Sequence, residues 1–230
     1  MKTLSDIADP VVRLGRIAYI NSAPVYYGLE NEPAENWRQL ICAPPSVLNA
    51  LLAENRLEAS PVSSSAFARN CGQWLMLPNV CIGCRGEVMS VKLVSRHPME
   101  QLSGKRILLT EDSATSVDLL KIILSEAGVL PRFQVGVVKS APEVFAQTDA
   151  ALAIGDAALR EDWEAYFPYQ WDLGKLWKEM TGLPFVFAVW AVRRDFAIQH
   201  PDRVSALSDL LNQSLQKGLA NIEILSAKGA

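Results

Sequence analysis

Apolar and polar residues alternate along the chain with two different periods. Short apolar runs such as RILLT (106–110), AALAI (150–154) and FVFAVWAV (185–192) are typical of buried strands. Between such runs lie segments with apolar residues at helical spacing. The clearest is SATSVDLLKIILSEAG, in which Ser113 is a candidate N-cap and Gly128 a candidate C′ residue. This alternation predicts an α/β protein with largely parallel sheets.

The remaining predicted elements follow the same two patterns. The predicted strands are RIAYI (16–20), RQLICA (38–43), EASPV (58–62), WLMLPNVCIG (74–83), VMSVKLVS (88–95) and FQVGVV (133–138). The predicted helices are PVYYGLE (24–30), PPSVLNALLAENR (44–56), AFARN (66–70), LGKLWKEMTGLP (173–184) and RVSALSDLLNQSLQKGLANIEIL (203–225).

Two halves of the chain each have their own strand–helix pattern, yet no Pro-, Gly- or Ser-rich linker separates them. This predicts a discontinuous arrangement in which the long runs VMSVKLVS and FVFAVWAV cross between two lobes. We expect residues 1–94 and 190–230 to form the first lobe and residues 95–189 the second. The hinge strands are then near 90–96 and 186–192, and two lobes joined by two strands predict a ligand cleft.

Polar residues follow several of the predicted strands at their carboxyl ends. In open α/β sheets ligands bind outside these ends, and hydroxyls, amides and helix N-termini bind carboxylates through neutral donors. We therefore predict a cleft for a small anion, although Ser, Thr, Asn and Asp at such places are also common N-caps. The candidate binding residues are Asn21, Ser22, Ser63, Ser64, Ser113, Thr115, Ser116, Gly155 and Asp156.

The composition and charge exclude several kinds of partner. Hydrophobic residues make up 50% of the 230 positions and charged residues 20%, as in ordinary globular proteins. The net charge of −3 offers no basic surface for nucleic acid or anionic lipid. No apolar run reaches the roughly 20 residues that cross a bilayer, and MKTLSDIADPVVRLGR lacks the apolar core of a signal peptide. We expect a cytoplasmic protein that binds a small molecule, without a nucleic-acid or membrane partner.

Cys81 and Cys84 form the motif CIGC, which can be a redox pair or half of a zinc site. A zinc site needs a second ligand pair, which neither Cys42 nor Cys71 supplies at ligand spacing. A redox CxxC normally opens a helix, whereas this motif follows a strand-like run. The pattern favours reduced structural thiols and predicts no metal, with a functional pair as the alternative.

Five segments together resemble the chorismate dehydratase family of the futalosine route to menaquinone. They are RIAYINSAPVYYGLE, GEVMSVKLVSR, LTEDSATSVDLLKIIL, AALAIGDAAL and WDLGKLWKEMTGLPFVFAVWAV, in the expected order from Arg16 to about Ala191. TGLPFVFAVW and IGDAAL are the most specific of these matches. The resemblance implies an α/β, two-lobed fold like that of type II periplasmic binding proteins, with a central ligand cleft, used inside the cell as an enzyme.

The resemblance also implies a reaction. Chorismate loses water to give 3-[(1-carboxyvinyl)oxy]benzoate, a carbon–oxygen lyase reaction that needs no organic cofactor or metal. The family's active-site Asn and Ser correspond to Asn21 of YIN and Ser90 of VMSV. Because a neutral amide is a poor base, we expect Asn21 and Ser90 to orient the substrate and polarise the leaving hydroxyl. The proton then goes to a substrate carboxylate, to a water or to Asp156.

Two alternative functions stay open. The sister family, dihydroxynaphthoate synthase, carries a His-Glu pair where this chain has Gly155-Asp156 and lacks the YxN start, and this contrast favours the dehydratase. A cytoplasmic solute-binding or sensor module for a small carboxylate would use the same cleft without turnover.

Overall fold

A computed structural model describes residues 11–31, 36–111 and 113–229. The strands are β1 (Val12–Arg16), β2 (Arg38–Cys42), β3 (Ala59–Ser63), β4 (Trp74–Cys84), β5 (Val91–Ser95), β6 (Arg106–Thr110), β7 (Arg132–Gly136), β8 (Ala150–Ile154), β9 (Tyr169–Asp172) and β10 (Phe185–Arg193). The helices are α1 (Ala23–Asn31), α2 (Pro45–Ala53), α3 (Ser64–Arg69), α4 (Ala114–Glu126), α5 (Ala141–Gln147), α6 (Gly155–Arg160), α7 (Leu173–Thr181), α8 (Arg194–Gln199), α9 (Pro201–Ala220) and α10 (Ile222–Gly229). Within these ranges no helix has the length and apolar character that a membrane span requires.

The chain forms two compact units. The described residues up to Ile82 and those from Ala188 onward form the first unit, and Gly83–Phe187 form the second. The predicted boundary at residue 94 is therefore corrected to residue 82, and the predicted boundary at 189 moves to 187. The physical reason is that β5, predicted as a crossing strand, pairs with β8 and β9 and so belongs wholly to the second unit. The chain passes between the units along β4 and β10.

The first unit contains a mixed five-stranded sheet in the order β2-β1-β3-β10-β4. β1 is parallel to β2 and β3, whereas β10 is antiparallel to β3. Helices α1 and α9 cover a core built around the fully buried Tyr26 and Trp190, whose rings lie 6.1 Å apart. Because β1 and β3 are parallel, their carboxyl ends share one edge of this sheet.

The second unit contains another five-stranded sheet, in the order β7-β6-β8-β5-β9. β6 is parallel to β7 and β8, and β5 is antiparallel to both β8 and β9. The prediction of largely parallel sheets thus holds for the pairs that β1 and β6 form, whereas β5 runs antiparallel to β8 and β10 antiparallel to β3, which makes each sheet mixed. Two apolar clusters lie in this unit, one packed against α4 and α7 and the other around Trp163 and Phe167.

The predicted strand RIAYI is displaced along the chain. The strand is VRLGR, in which Val12 and Leu14 are fully buried, and it ends at Arg16. Tyr19 and Ile20 are each 52% exposed, because the chain leaves the sheet and forms a 3₁₀ turn over Ile20–Ser22. Their apolar character therefore does not mark a strand.

Most of the other predicted elements are confirmed, including α4 with Ser113 as its N-cap and Gly128 in the left-handed region at φ +70°. The sequence patterns missed α5, α6, α8 and β9, which have only four to seven residues each. The predicted final helix is interrupted at Asn221, where α9 ends and α10 follows.

Helices α1 and α9 approach each other closely because small residues face one another. The Ser214 hydroxyl accepts hydrogen bonds from the Gly28 and Leu29 N–H groups, at 2.9 and 3.1 Å. A Cβ at Gly218 would lie 2.1 Å from the Pro24 carbonyl oxygen. This contact sets the position of the start of α1, which directly follows the 3₁₀ turn containing Asn21.

We expect Gly218→Ala to destabilise the protein. Alanine gains about 1 kcal/mol of helix propensity over glycine, but the overlap is with backbone that cannot rotate away. Forcing α1 and α9 apart should outweigh that gain and lower the free energy of unfolding by about 1–3 kcal/mol. Urea unfolding measures the change. Gly72→Ala is the matched control, because a Cβ there meets nothing within 4 Å; equal stability of the two variants would contradict the proposed overlap.

Candidate functional site

Four strand ends meet at one edge of the second sheet. The parallel strands β6 and β8 end there, at Thr110 and Ile154. β5 runs the opposite way, with Val91 opposite Ile154, and so begins at the edge where β8 ends. β9 also ends at this edge, because it is antiparallel to β5. Ser90, just before β5, therefore lies at the same edge as Gly155, just after β8.

The backbone of Ser90 is held from both sides. The Gly155 N–H donates to the Ser90 carbonyl at 2.8 Å, and the Ser90 N–H donates to the Val88 carbonyl at 2.7 Å. The second bond closes a three-residue turn whose central residue, Met89, has φ +61°. The Ser90 side chain is partly buried, and its hydroxyl makes no hydrogen bond with any residue that the structure describes. That hydroxyl is consequently available to a ligand.

Helix α4 begins four residues after β6 ends, so its N-terminus lies at this same edge. The Ser113 hydroxyl accepts from the Ser116 N–H at 3.2 Å and is 2.8 Å from the Ser116 hydroxyl. The Thr115 hydroxyl donates to the Phe187 carbonyl at 3.1 Å. The side chains of Thr115 and Ser116 are buried. These three hydroxyls thus stabilise the start of the helix, whose dipole favours an anion nearby.

Gly155 and Asp156 form the start of α6. Gly155 has φ +57°, a left-handed backbone conformation that favours glycine, and it turns the chain from β8 directly into the helix. The N-cap position is occupied by Ile154, without a side-chain cap bond. The alternative interpretation of Asp156 as an N-cap is therefore wrong: it is the second helical residue, and its side chain is exposed.

In the first unit, Asn21 lies in the 3₁₀ turn that follows β1. Its side chain is exposed and makes no hydrogen bond with the described part of the chain. Ser22, its neighbour, is fully buried, and its hydroxyl donates towards the carbonyls of Ile17 (3.0 Å) and Tyr19 (2.8 Å). Ser22 thus holds the turn together, whereas the amide of Asn21 is presented to solvent.

Ser63, the last residue of β3, and Ser64, the next residue, lie at the same edge of the first sheet as the end of β1, because β3 is parallel to β1. Ser63 is the N-cap of α3, and its hydroxyl accepts from the Ala66 N–H at 3.0 Å. Ser64 is the first residue of this helix and is half-buried. Both residues lie where the sequence placed them, and the hydroxyl of Ser63 is engaged in capping.

The candidate residues therefore fall into two groups of different local character. One group has side chains engaged in the protein's own hydrogen bonds; it contains Ser22, Ser63, Ser113, Thr115 and Ser116. Asn21, Ser90 and Asp156 form the other group, with polar side chains that lack a partner among the described residues. The structure brings Ser90, Gly155 and Asp156 together in the second unit, and Asn21 and Ser63 share an edge in the first.

Sequence reasoning missed Asp172, the last residue of β9. Its carboxylate caps α7 by accepting from the Lys175 N–H at 2.9 Å, and it also accepts from the backbone next to Ser90. The motif WDLGK before a helical pattern indicates an N-cap. It gives no indication of the second contact, which joins residues more than 80 positions apart.

Among the residues described, no group of three His, Cys, Asp or Glu side chains could hold a metal ion. Cys81 and Cys84 are free thiols on β4, three residues apart, so their side chains point to opposite faces of the strand. Burial raises the pKa of the Cys84 thiol, which disfavours the reactive thiolate. These observations support the structural interpretation of the CIGC motif.

Comparison with solved structures identifies the fold. The periplasmic aliphatic sulphonate binding protein SsuA of Escherichia coli superposes with a TM-score of 0.61 over 96% of this chain and 77% of that chain. Its sequence is only 14% identical, which shows a common fold and nothing further. The fold is that of periplasmic binding proteins, and the prediction from sequence is confirmed.

Sequence comparison identifies the family. A 1,4-dihydroxy-6-naphtoate synthase of Thermus thermophilus is 26% identical over 216 residues, covering 92% of this chain and 76% of that protein. A chorismate dehydratase of the same organism is 33% identical over 224 residues, covering 91% of this chain and 78% of that protein. The sequence profile of the family described as menaquinone biosynthesis matches residues 12–230. This chain belongs to the menaquinone biosynthesis family, in the group that includes chorismate dehydratase.

Proposed function

We propose that this chain is a chorismate dehydratase, a hydro-lyase that converts chorismate to 3-[(1-carboxyvinyl)oxy]benzoate. The observation that carries the proposal is that the side chains of Asn21 and Ser90 make no hydrogen bond with the described residues. These are the two residues that the resemblance to the family assigns to the active site, and both present polar side chains without a partner among the described residues. The 33% identity to a chorismate dehydratase supports the same assignment.

The reaction breaks two bonds and aromatises the ring. The ring proton at C3 leaves, the electrons of that C–H bond form the new double bond, and the C4–O bond breaks with its electrons going to the hydroxyl. The departing hydroxyl takes a proton and leaves as water. Aromatisation makes the elimination favourable, so the protein needs mainly to orient the substrate and stabilise the leaving group.

The chemistry of Ser90 and Asn21 suits that task. The Ser90 hydroxyl can donate to the leaving oxygen, and the Asn21 amide can donate to a substrate carboxylate or to the same oxygen. Neither side chain is basic at neutral pH, so the proton from C3 passes to a substrate carboxylate or to a water. Asp156, exposed on α6, is a less suitable acceptor because a carboxylate is repelled by a dianionic substrate.

Two other functions would give a different result when the purified chain is incubated with chorismate. The sister enzyme would leave chorismate untouched. Its expected His-Glu pair falls on Gly155-Asp156, and glycine at the first of these positions lacks the imidazole. A solute-binding module with this fold would bind chorismate and release it unchanged.

The first expected outcome is turnover of chorismate by the purified chain. We expect a new aromatic product with the mass of chorismate minus water, detected by ultraviolet absorbance and mass spectrometry. A chelator should leave the rate unchanged, because the proposed elimination uses only neutral donors. Recovery of bound but unaltered chorismate would instead identify a binding module and reject the proposed enzyme.

The second expectation concerns Asn21 and its neighbour. Asn21→Ala should reduce turnover by about 100-fold or more, as for the loss of a transition-state donor, and change the free energy of unfolding by less than about 0.5 kcal/mol. Ser22→Ala is the matched control: it leaves the Ile17 carbonyl without its buried hydroxyl donor, although the Tyr19 carbonyl keeps the Ser22 N–H, and it should cost about 1–3 kcal/mol of stability. Calorimetry on both variants measures the change in stability, and steady-state kinetics measures the change in turnover. Unfolding of Asn21→Ala, or its full activity, would show that Asn21 is structural.

The third expectation concerns the CIGC motif. Replacing Cys81 and Cys84 together by serine should leave kcat and KM within about twofold of the parent values, because serine is slightly smaller than cysteine and so keeps the close approach of position 84 to Gly174. The assay is run with and without a reducing agent. A large loss of activity in the double variant, or a strong dependence of the parent on reductant, would establish a functional thiol pair.

A further inference from the structure

We propose that Asp172 is a positioning residue for Ser90, acting through the backbone of the preceding loop. The Asp172 carboxylate fixes Val88 and Met89, and these two residues set the direction of the Ser90 hydroxyl. This inference rests on the proposed function, because it concerns how the same site is held.

The contacts of Asp172 all lie within the second unit. Its Oδ2 accepts from the Met89 N–H at 2.6 Å and from the Val88 N–H at 3.0 Å, and its Oδ1 is also 3.0 Å from the Val88 nitrogen. Oδ1 additionally accepts from the Lys175 N–H at 2.9 Å, which caps α7. One carboxylate thus holds three backbone N–H groups, two on the loop and one on the helix.

The loop needs such an anchor because its conformation is strained. Met89 has φ +61°, a left-handed conformation that is unfavourable for a residue with a side chain. Its side chain is 62% exposed, so packing of Met89 does little to hold the turn. The turn that Met89 centres ends at Ser90 through the Ser90 N–H to Val88 carbonyl bond. Release of the Met89 N–H would allow the turn to relax and the Ser90 hydroxyl to move.

A second observation shows that the start of α7 is packed directly against the loop. A Cβ at Gly174 would lie 2.4 Å from the Gly86 carbonyl oxygen and 2.7 Å from the Cys84 sulfur. Only glycine therefore allows the first turn of α7 to approach this closely. The approach is what brings Asp172 within reach of Val88 and Met89.

Aspartate has a specific advantage over asparagine at this position. Its two oxygens both accept, whereas the amide of asparagine has one acceptor oxygen and a nitrogen that only donates. Asp172→Asn therefore retains either the cap of α7 or the bond from the Met89 N–H, and not both, whereas the Val88 N–H lies within reach of both oxygen positions. Substitution by asparagine also preserves the size of the side chain, so the variant is suited to a kinetic test.

The experiment is a double-mutant cycle between Asp172→Asn and Ser90→Ala, with kcat and KM measured for chorismate. If Asp172 acts through Ser90, Asp172→Asn lowers kcat by up to about 100-fold, as misplacement of a reacting group by about 1 Å can do. In the Ser90→Ala background the same substitution should change kcat by less than about twofold, because the group it positions is gone. Equal losses in both backgrounds would overturn the positioning role. Asp172→Ala, which removes both oxygens, is the second variant, and its full activity would overturn the role as well.

Asp149→Asn is the matched control. Asp149 also accepts a backbone hydrogen bond, from the Arg106 N–H at 2.9 Å, but it directly precedes β8 and so lies at the opposite edge of the same sheet. We expect its substitution to leave kcat unchanged. A loss of kcat in Asp149→Asn equal to that in Asp172→Asn would show a general effect of weakening the unit and would overturn the proposal.

Hydrogen exchange separates this inference from the proposed function. In Asp172→Ala, which removes both carboxylate oxygens, the amides of Val88 and Met89 should exchange faster than in the parent chain, while amides in β8 keep their protection. If the parent chain does not turn over chorismate but these two amides lose protection, the proposed function fails and the anchoring of the loop stands. Unchanged exchange at Val88 and Met89 overturns the anchor itself.

Discussion

The antiparallel pairing of β5 with β8 brings the candidate residues of the second unit to one edge of its sheet. If β5 ran parallel to β8, as an unbroken α/β pattern would have it, Ser90 would lie at the far end of the sheet from Gly155. The observed register instead places Val91 opposite Ile154, so the start of one strand meets the end of the other. The bond from the Gly155 N–H to the Ser90 carbonyl then fixes this meeting point. The ends of β6 and β9 and the start of α4 are brought to the same edge.

The polar residues at the strand ends divide according to the hydrogen bonds that the fold itself requires. Helix starts and turns leave N–H and carbonyl groups without a partner, and Ser22, Ser63 and Ser113 satisfy some of them. Asn21 and Ser90 perform no such task, which leaves their donors for a ligand. All the side chains proposed to contact substrate are neutral, and this suits a dianion, because the donors orient it without the desolvation cost of a buried charge.

The accuracy of the sequence predictions depends on whether local or distant contacts form an element. Helix α4 and strands β6 and β8 have strong local patterns and were predicted correctly. RIAYI was misplaced because the sheet partners of β1, not apolar character, decide where the strand ends, and Gly15 marks a close approach to Ser60 that the pattern does not show. The boundary at residue 94 failed because the pairing of β5 is not local. Asn21 and Ser90 are predictions from the resemblance, and the role of Asp172 is proposed from its contacts alone.

The contacts of Asp172 link the stability of one helix to the geometry of one hydroxyl. A serine cap, like Ser113 on α4, has a single acceptor oxygen and could hold the helix start only. The carboxylate has a second oxygen, and the absence of a Cβ at Gly174 allows that oxygen to reach the loop. The strained conformation of Met89 is therefore stabilised by the Asp172 carboxylate. This carboxylate is already held in place because it caps α7. Asp172 thus acts on Ser90 through the backbone of Val88 and Met89, and its carboxylate is already occupied by three N–H groups.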